Sequence, residues 1–466
     1  MPLRRLSGTR VCKKRLNSLP RRVVIIGAHA AGVDAAAAAR KTDRTAEITL
    51  ITKERHAGYS RCGIPFVIGG HIPKFEDLIV YPSAYYKMNK LDLKLETTVA
   101  HIDKDAKTVE TFDKTGKAET LPYDSLILAT GASPVIPPIK GKEKQGIYVV
   151  RTLEDGERID AAIKAGAKKG VIIGAGLIGL EVAMVSVERG LQTTVVELLP
   201  QTLPAMLDAD MAKIVEEKFE EKGVRVITGT GVSEVLGSEK VSGVIAGNEQ
   251  ISADILVVAT GIRVNSDLAQ EAGCAIGVFR GILTNMRMET TVKDIYAGGD
   301  CAEAVSLITH RPVLYQLGTV AVRHGKVAGT NAAGGYAVFP GCLGSSTSRL
   351  FDIEIGATGL TEALAQKHGI TPLIGTVTSK TKADYYPGAL PIKIKLVFDR
   401  ESELLVGGQI VGGEEVTQRI NALSFAIQKQ MTLRELMKAD TAYTPPLCET
   451  WEPMVFAAET ALRKIR

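Results

Sequence analysis

The 466-residue chain contains no apolar run that reaches the roughly 18 residues needed to span a bilayer. Its longest apolar stretches, such as Val23 to Gly27 and Val171 to Gly176, end at glycines. Nothing points to a membrane span. Cysteine is sparse: the six residues at positions 12, 62, 274, 301, 342 and 448 form no dense framework and no paired metal-ligand spacing. His56, His71 and His101 are equally scattered, so no metal site is expected. A secretory apolar segment is also lacking, which favours a reducing cytoplasm.

Positive charge is missing where a nucleic acid would need it. The formal net charge is +5, but Arg4, Arg5, Arg10, Lys13, Lys14, Arg15, Arg21 and Arg22 crowd the first 22 residues without an acid. Removing that +8 leaves −3 for the rest, where no basic cluster interleaved with aromatics appears. Nucleic acid is therefore set aside as a partner. Residues 1–21 read as a basic leader, faintly like an organelle transit peptide but better explained as a disordered tail or a misassigned start.

What is present is an α/β composition, 45% hydrophobic with 46 glycines and one tryptophan, in a chain long enough for about three domains. Val23 to Ile26 is a β-branched strand leading into Gly27-Ala28-His29-Ala30-Ala31-Gly32 and an alanine-rich helix. Strand, tight turn and helix let a pyrophosphate meet the N–H groups of a helix N-terminus. The fingerprint is imperfect, because His29 stands where GxGxxG has its second glycine. A second copy is complete: Val171 to Ile173 runs into Gly174-Ala175-Gly176-Leu177-Ile178-Gly179, and Glu197 follows at the end of the next strand. A carboxylate there accepts ribose hydroxyls and repels a 2′-phosphate, so NADH is preferred over NADPH.

Two such turns in one chain imply two dinucleotides facing each other, one FAD and the other NADH. Two further segments echo one another, Leu126 to Ala129-Thr130-Gly131 and Leu256 to Ala259-Thr260-Gly261, each an apolar strand ending in Ala-Thr-Gly. Gly298-Gly299-Asp300 places an acid beyond another strand, positioned for a ribityl or phosphate group. About 30 residues past the first turn, Cys62 sits in Gly58-Tyr59-Ser60-Arg61-Cys62-Gly63-Ile64-Pro65-Phe66 with Ala57 and Val67 five residues to either side. It has no local CxxxxC or CxxC partner. Taken by itself it would read as a small buried hydrophobe.

These residues together resemble the FAD-dependent pyridine nucleotide-disulfide oxidoreductases, over nearly everything after residue 22. One cysteine without a CxxxxC partner is similar to the branch that holds coenzyme A disulfide reductases, NADH oxidases and NADH peroxidases. The resemblance implies two doubly wound Rossmann-like dinucleotide domains plus a C-terminal α+β dimerisation domain. The FAD-binding domain is expected over 22–145 and 268–333, the NAD-binding domain over 146–267 and the dimerisation domain over 334–466.

Three short matches favour the coenzyme A disulfide reductase side: Cys62-Gly63-Ile64-Pro65-Phe66, Tyr385-Tyr386-Pro387-Gly388-Ala389 and Tyr443-Thr444-Pro445-Pro446. The last resembles a segment that reaches the partner subunit's site in that family. One departure is Thr52, followed by Lys53 and Glu54, where relatives carry the Glu that binds the FAD adenosine ribose. The contact passes to Glu54 or FAD is held less tightly; both remain open. No rhodanese-like extension follows residue 466, so no sulfur relay through one is expected.

The chemistry expected is hydride transfer from NADH to the flavin, then an electron pair to sulfur at Cys62 as a mixed disulfide with coenzyme A, a persulfide or a sulfenic acid. A thiol of pKa about 8.5 needs a cation beside it to react at neutral pH, and Arg61 is one candidate. Tyr443 or Tyr386 would protonate the departing thiolate. Glu181 matches a position that faces the nicotinamide. Cys448 could approach the other subunit's Cys62, although a structural role is favoured. Arg40, Lys41 and Arg44 could meet coenzyme A phosphates, against the simpler reading of a solvated helix end. The rival reading is an NADH oxidase or peroxidase cycling Cys62 through sulfenic acid. A third is a flavin-bound redox-sensing or electron-transfer module.

Overall fold

The structure is a computed structural model describing residues 19–465. Of the leader expected over 1–21, residues 1–18 lie outside the described residues. The leader's end shifts inward, because Arg21 already belongs to the fold. Its guanidinium donates to the Ala332 carbonyl at 3.1 Å and its own carbonyl accepts from Glu47 N at 2.8 Å.

β1 (Arg22–Ile26) runs into α1 (Ala30–Thr42) and β2 (Glu47–Ile51). The first sheet is parallel, in the order Ile295–Ala297, Ser125–Leu128, β1, β2, Leu91–Lys94. Both faces of the sheet are covered, since Val23 and Ile25 on one side and Val24 and Ile26 on the other are all buried, as are Leu126 and Leu128. That is why these strands are continuous apolar runs rather than alternating ones. Each such side chain withdrawn from water contributes about 1.5–3 kcal/mol. α1 is alanine-rich because the helix Gly318–Ala332 lies directly on it; a Cβ on Gly329 would come within 2.0 Å of the Ala35 carbonyl oxygen.

The second sheet repeats the plan: Arg225–Ile227, Gln192–Val196, Lys169–Ile173, Ile255–Val258 and Ile147–Tyr148, again parallel. In both halves a three-stranded antiparallel sheet is inserted before the strand that ends in Ala-Thr-Gly. The chain crosses between halves on a two-stranded ribbon in which Ala132–Pro134 pairs with Ile262–Val264. The third unit is a five-stranded antiparallel sheet, Ser346–Leu350, Ile353–Gly359, Leu405–Gly412, Pro391–Asp399, Pro372–Lys380. The helices Val416–Gln428 and Pro453–Leu462 bury Ile420, Leu423, Ala457 and Ala461 in its core. No described helix is long and apolar enough to cross a membrane.

Candidate active site

The two nucleotide turns are built by the same steric rule. Gly27 has φ +113° and Gly174 φ +103°; a Cβ on either would lie 2.0 or 2.4 Å from the carbonyl oxygen of Ala129 or Ala259. The last glycines, Gly32 and Gly179, leave no room either, since a Cβ would come within 1.8 and 2.0 Å of the Gly27 and Gly174 carbonyl oxygens. The middle glycine is different. A Cβ on Gly176 would meet nothing within 4 Å. No protein atom dictates glycine there, so the demand at Gly176 is the approach of a pyrophosphate to the backbone, and in the first turn His29 stands at the equivalent place, its imidazole turned to Glu54 at 3.0 Å.

Glu197 behaves as a carboxylate at the end of a second strand should. It is buried, and its two oxygens accept from Ala175 N at 2.7 Å and Leu199 N at 2.8 Å, so it ties down the turn it follows. Thr52 is buried at the end of β2, where its hydroxyl accepts from Glu54 N at 3.3 Å. Lys53, beside it, is exposed. Glu54, to which the sequence left the ribose contact open, is already engaged within the protein. Its carboxylate is engaged by the Tyr59 hydroxyl at 2.6 Å, by His29 and by Arg61 Nη2 at 2.6 Å. Burial would raise its pKa, but these donors and charges outweigh it and hold the carboxylate far below its usual range. Thr130 is likewise occupied, its hydroxyl donating to the Asn265 carbonyl at 2.6 Å to clasp the crossover ribbon.

Cys62 lies in a single 3-10 turn, Arg61–Gly63, that opens into α2 (Ile64–Ile68). Pro65 falls in the first turn of α2, where its missing N–H costs nothing. α2 packs Ile64, Val67 and Ile68 against Ile159, Val182 and Val185 of the helices Leu153–Lys164 and Leu177–Glu188. A residue of the first half is thereby set against the second. Cys62 is free and exposed. Protein packed around it pushes the thiol up, the carboxylates of Glu181 and Asp300 push it further, and Arg151 opposes them. The expected depression by Arg61 is thus corrected. That guanidinium donates instead to Glu54 and, at 2.5 Å, to the Arg151 carbonyl, and the cation facing Cys62 is Arg151.

Arg151 is the residue that sequence reasoning missed. Its Nη2 bonds Asp300 Oδ2 at 3.0 Å, and it would lie 3.4 Å from a Cβ on Gly131. Glu181, Asp300, Arg151 and Cys62 therefore come from the second turn's helix, the Gly-Gly-Asp turn, the entry to the second half and the Cys62 turn. The signal that could have found Arg151 is its place just before Thr152-x-x-Asp155, a capping box that starts the next helix. Glu181 is no exposed helix acid: Ser348 donates to its Oε1 at 2.7 Å, and burial raises its pKa.

These residues fit FAD at the first turn: Gly27 abuts Ala129 just past the closing strand, Gly299 abuts Ala31 in the first turn of α1, and Arg151 lies beside Gly131 and holds Asp300. Among the described residues no group of three or more His, Cys, Asp or Glu is placed to hold a metal.

The C-terminal candidates sit apart, on the third unit. Tyr443 is hydrogen bonded to Tyr385 rather than to Tyr386, hydroxyl to hydroxyl at 2.8 Å, and all three are exposed. Cys448 closes its own turn, with Thr444 N 3.3 Å and the Ala442 carbonyl 3.3 Å from its sulfur. Arg40 is not available to phosphates in the way Lys41 and Arg44 are. Its guanidinium donates to the carbonyls of Ala46 at 2.7 Å, Lys90 at 2.8 Å and Asn89 at 2.9 Å. That ties the end of α1 to the 89–90 turn and leaves Lys41, Arg44, Lys87 and Lys90 exposed around it.

Residues 21–325 match the pyridine nucleotide-disulphide oxidoreductase family and residues 345–455 that family's dimerisation domain. The chain belongs to this family, whose members are FAD-dependent NAD(P)H oxidoreductases. It is 44% identical over 446 residues to an "NADH oxidase" of Methanocaldococcus jannaschii, covering 95% of this chain and 99% of that one. It is 35% identical to an "NAD(P)H sulfur oxidoreductase (CoA-dependent)" of Pyrococcus furiosus, covering 94% and 98%. Among solved structures it superposes on an NAD-dependent persulfide reductase from A. fulgidus with TM-score 0.93 and 38% identity, over 95% of this chain and 83% of that one.

Proposed function

We propose that the protein is a homodimeric, NADH-dependent flavoprotein that reduces coenzyme A disulfide or a related persulfide or polysulfide through Cys62. The observation that carries this reading is the setting of Cys62: free and exposed, with Glu181 of the nicotinamide-nucleotide half and the Arg151–Asp300 pair, which joins that half to the flavin half, acting on it together. Bound FAD would supply the two-electron step between a hydride donor and sulfur. The residues supply the rest. Gly27, Gly32, Ala129, Gly131 and Asp300 hold the flavin nucleotide; Gly174, Gly176, Gly179, Gly261 and Glu197 hold the nicotinamide nucleotide. Glu181 orients the reacting ring, which is a matter of proximity rather than new chemistry.

The balance is one hydride and one proton consumed per S–S bond cleaved, giving two thiols. Cys62 as thiolate attacks one sulfur of the substrate and releases the other as thiolate, which is protonated by a tyrosine of the Tyr385–Tyr443 pair from the partner subunit. Two electrons then return the mixed disulfide to thiolate and a second thiol. Lys41, Arg44, Lys87 and Lys90 offer cationic groups for the coenzyme A phosphates. A soluble cytoplasmic enzyme would suit a thiol kept reduced.

The second reading, an NADH oxidase cycling Cys62 through sulfenic acid, is favoured by the 44% identical NADH oxidase. One anaerobic experiment separates them. The FAD-loaded enzyme is reduced with NADH, and coenzyme A disulfide, polysulfide, peroxide or oxygen is added separately while flavin reoxidation is followed. Fast reoxidation by disulfide or polysulfide, lost in Cys62→Ser, supports the reading. Fast reoxidation by oxygen or peroxide alone replaces it with the oxidase or peroxidase. No fast acceptor at all points to the sensing or electron-transfer module.

A further inference from the structure

We propose that Arg61 is a positioning residue for Cys62, fastening the cysteine's turn at once to the first nucleotide turn, through Glu54 and His29, and to the peptide of Arg151. The proposal rests on Cys62 being the redox centre and asks what holds it there. Three separated segments meet in this cluster. His29 comes from the middle position of the nucleotide turn, Glu54 from just beyond β2, and Tyr59 and Arg61 from the approach to Cys62.

Glu54 is the hub. Its Oε1 accepts from Arg61 Nη2 at 2.6 Å; its Oε2 accepts from the Tyr59 hydroxyl at 2.6 Å and lies 3.0 Å from His29 Nε2. A carboxylate only accepts, so His29 Nε2 carries a proton, and burial favours the neutral ring. That fixes the tautomer and leaves Nδ1 buried and unpartnered. The His29 ring meets the Tyr59 ring edge-on at 4.6 Å, with the Arg61 guanidinium 5.4 Å from the Tyr59 centroid.

Arg61 uses both arms of its fork, Nη2 on Glu54 and Nη1 on the Arg151 carbonyl at 2.5 Å. Its charge is spent on Glu54, so it does not act on the thiol as a cation. What it transmits is position: the residue next to Cys62 is tied to the turn that cradles one cofactor and to the residue whose own guanidinium pairs with Asp300 and faces Cys62. A lysine cannot reproduce this, because a single ammonium lacks the planar fork that reaches two acceptors in fixed directions. His29 fits the same logic. Of the three fingerprint glycine positions it occupies the one that no protein atom reserves for glycine, and it spends that side chain on Glu54.

The test uses the FAD-loaded enzyme with Cys12 and Cys448 changed to serine, so that iodoacetamide reads Cys62 against buried cysteines. Arg61→Ala removes the donor to the Arg151 peptide and frees the guanidinium that opposes the carboxylates. The pH profile of Cys62 alkylation is expected to move to higher pH, and reoxidation by the disulfide to slow about 10- to 100-fold, the range that a misplacement of the reacting group produces. Reduction by NADH is expected to change by no more than about twofold, because the second turn is untouched. Arg61→Lys should fall between, and carries the test if Arg61→Ala does not fold. His29→Gly should shift the profile in the parent but not in the Arg61→Ala background, since both act through Glu54.

An alkylation profile that superposes on the parent's in Arg61→Lys and Arg61→Ala overturns the proposal, as does strict additivity of His29→Gly and Arg61→Ala. Alkylation needs no acceptor, so this outcome stands apart from the acceptor experiment: Cys62→Ser with full turnover would sink the redox reading, whatever Arg61 does.

Discussion

The hydroxyls of Tyr385 and Tyr443 lie 2.8 Å apart, joining the loop after the strand Pro372–Lys380 to a segment 58 residues further along the chain. The bond to Tyr443 raises the Tyr385 pKa, so Tyr385 holds its proton more tightly than a free phenol. If the pair is the proton donor to a departing thiolate, Tyr385→Phe and Tyr443→Phe should each slow disulfide reduction by about 100-fold, the lower end of what general acid catalysis supplies. The double variant should be little worse than either single one. Stopped-flow reoxidation checks this, and a larger loss from Tyr386→Phe than from either would return the acid to Tyr386.

Both oxygens of Glu197 brace the second turn. If the same carboxylate also sets nucleotide choice, it does so by repelling a 2′-phosphate. Glu197→Ala should therefore do two things in steady-state kinetics: raise KM for NADH by loosening the turn, and shift the NADPH-to-NADH ratio of kcat/KM upward by about tenfold, roughly 1.4 kcal/mol. A ratio that stays put would mean that nicotinamide selectivity is set elsewhere.

His324 gives stability a pH slope. It is fully buried on the helix behind the Gly-Gly-Asp turn, its Nδ1 accepting from Gly299 N at 3.3 Å and its ring edge-on to Phe339 at 4.3 Å. Burial lowers its pKa from 6.5 to about 4. Because the unfolded imidazole takes a proton more readily than the folded one, stability is complete above about pH 6.5, falls as the pH drops, and stops falling on this account below about 4. His324→Gln, keeping an acceptor for Gly299, should flatten that part of a urea-unfolding series. An unchanged slope from pH 6.5 to 4 would assign the loss to other groups.

The junction between the second half and the third unit is held by Lys395. Its side chain is 6% exposed and sits 3.2 Å from Asp208, 2.8 Å from Asp210 and 2.9 Å from Glu362. Burial opposes the ammonium, but the hydrogen bonds to Asp210 and Glu362 and the Asp208 charge win and raise its pKa. That contribution is present below the unfolded lysine value, about 10.4, and is lost only at higher pH. Lys395→Met leaves three carboxylates facing one another and should cost about 3 kcal/mol, the low end for a broken buried pair since Asp210 and Glu362 keep some solvent. Denaturant unfolding at pH 7 measures it.

The strands, the two turns and Cys62 were legible because each depends on local rules: continuous apolar runs for a sheet covered on both faces, glycines where a Cβ would strike a carbonyl, a cysteine with no neighbour of its kind. The Arg151–Asp300 pair and the Glu54 hub were not, because they exist only where separated segments converge. Arg40 shows the same limit from the other side. In the sequence it is one of three basic residues at a helix end; in the fold it is a clasp between peptide carbonyls. Thr52 and Glu54 could not be told apart as ribose ligands from their order alone. The geometry adds what their order could not, three protein donors, His29, Tyr59 and Arg61, already on the Glu54 carboxylate.

The open space at Gly176 bears on how such turns are found. In this protein the outer two glycines are dictated by collisions inside the chain, whereas the middle one is not. A pattern search that weights all three equally would discard residues 27–32 for a residue the backbone accommodates without strain. One that demands only the outer pair would keep the turn, and would flag the middle residue as the place where the ligand's approach, and not the chain's own packing, decides which side chain can stand.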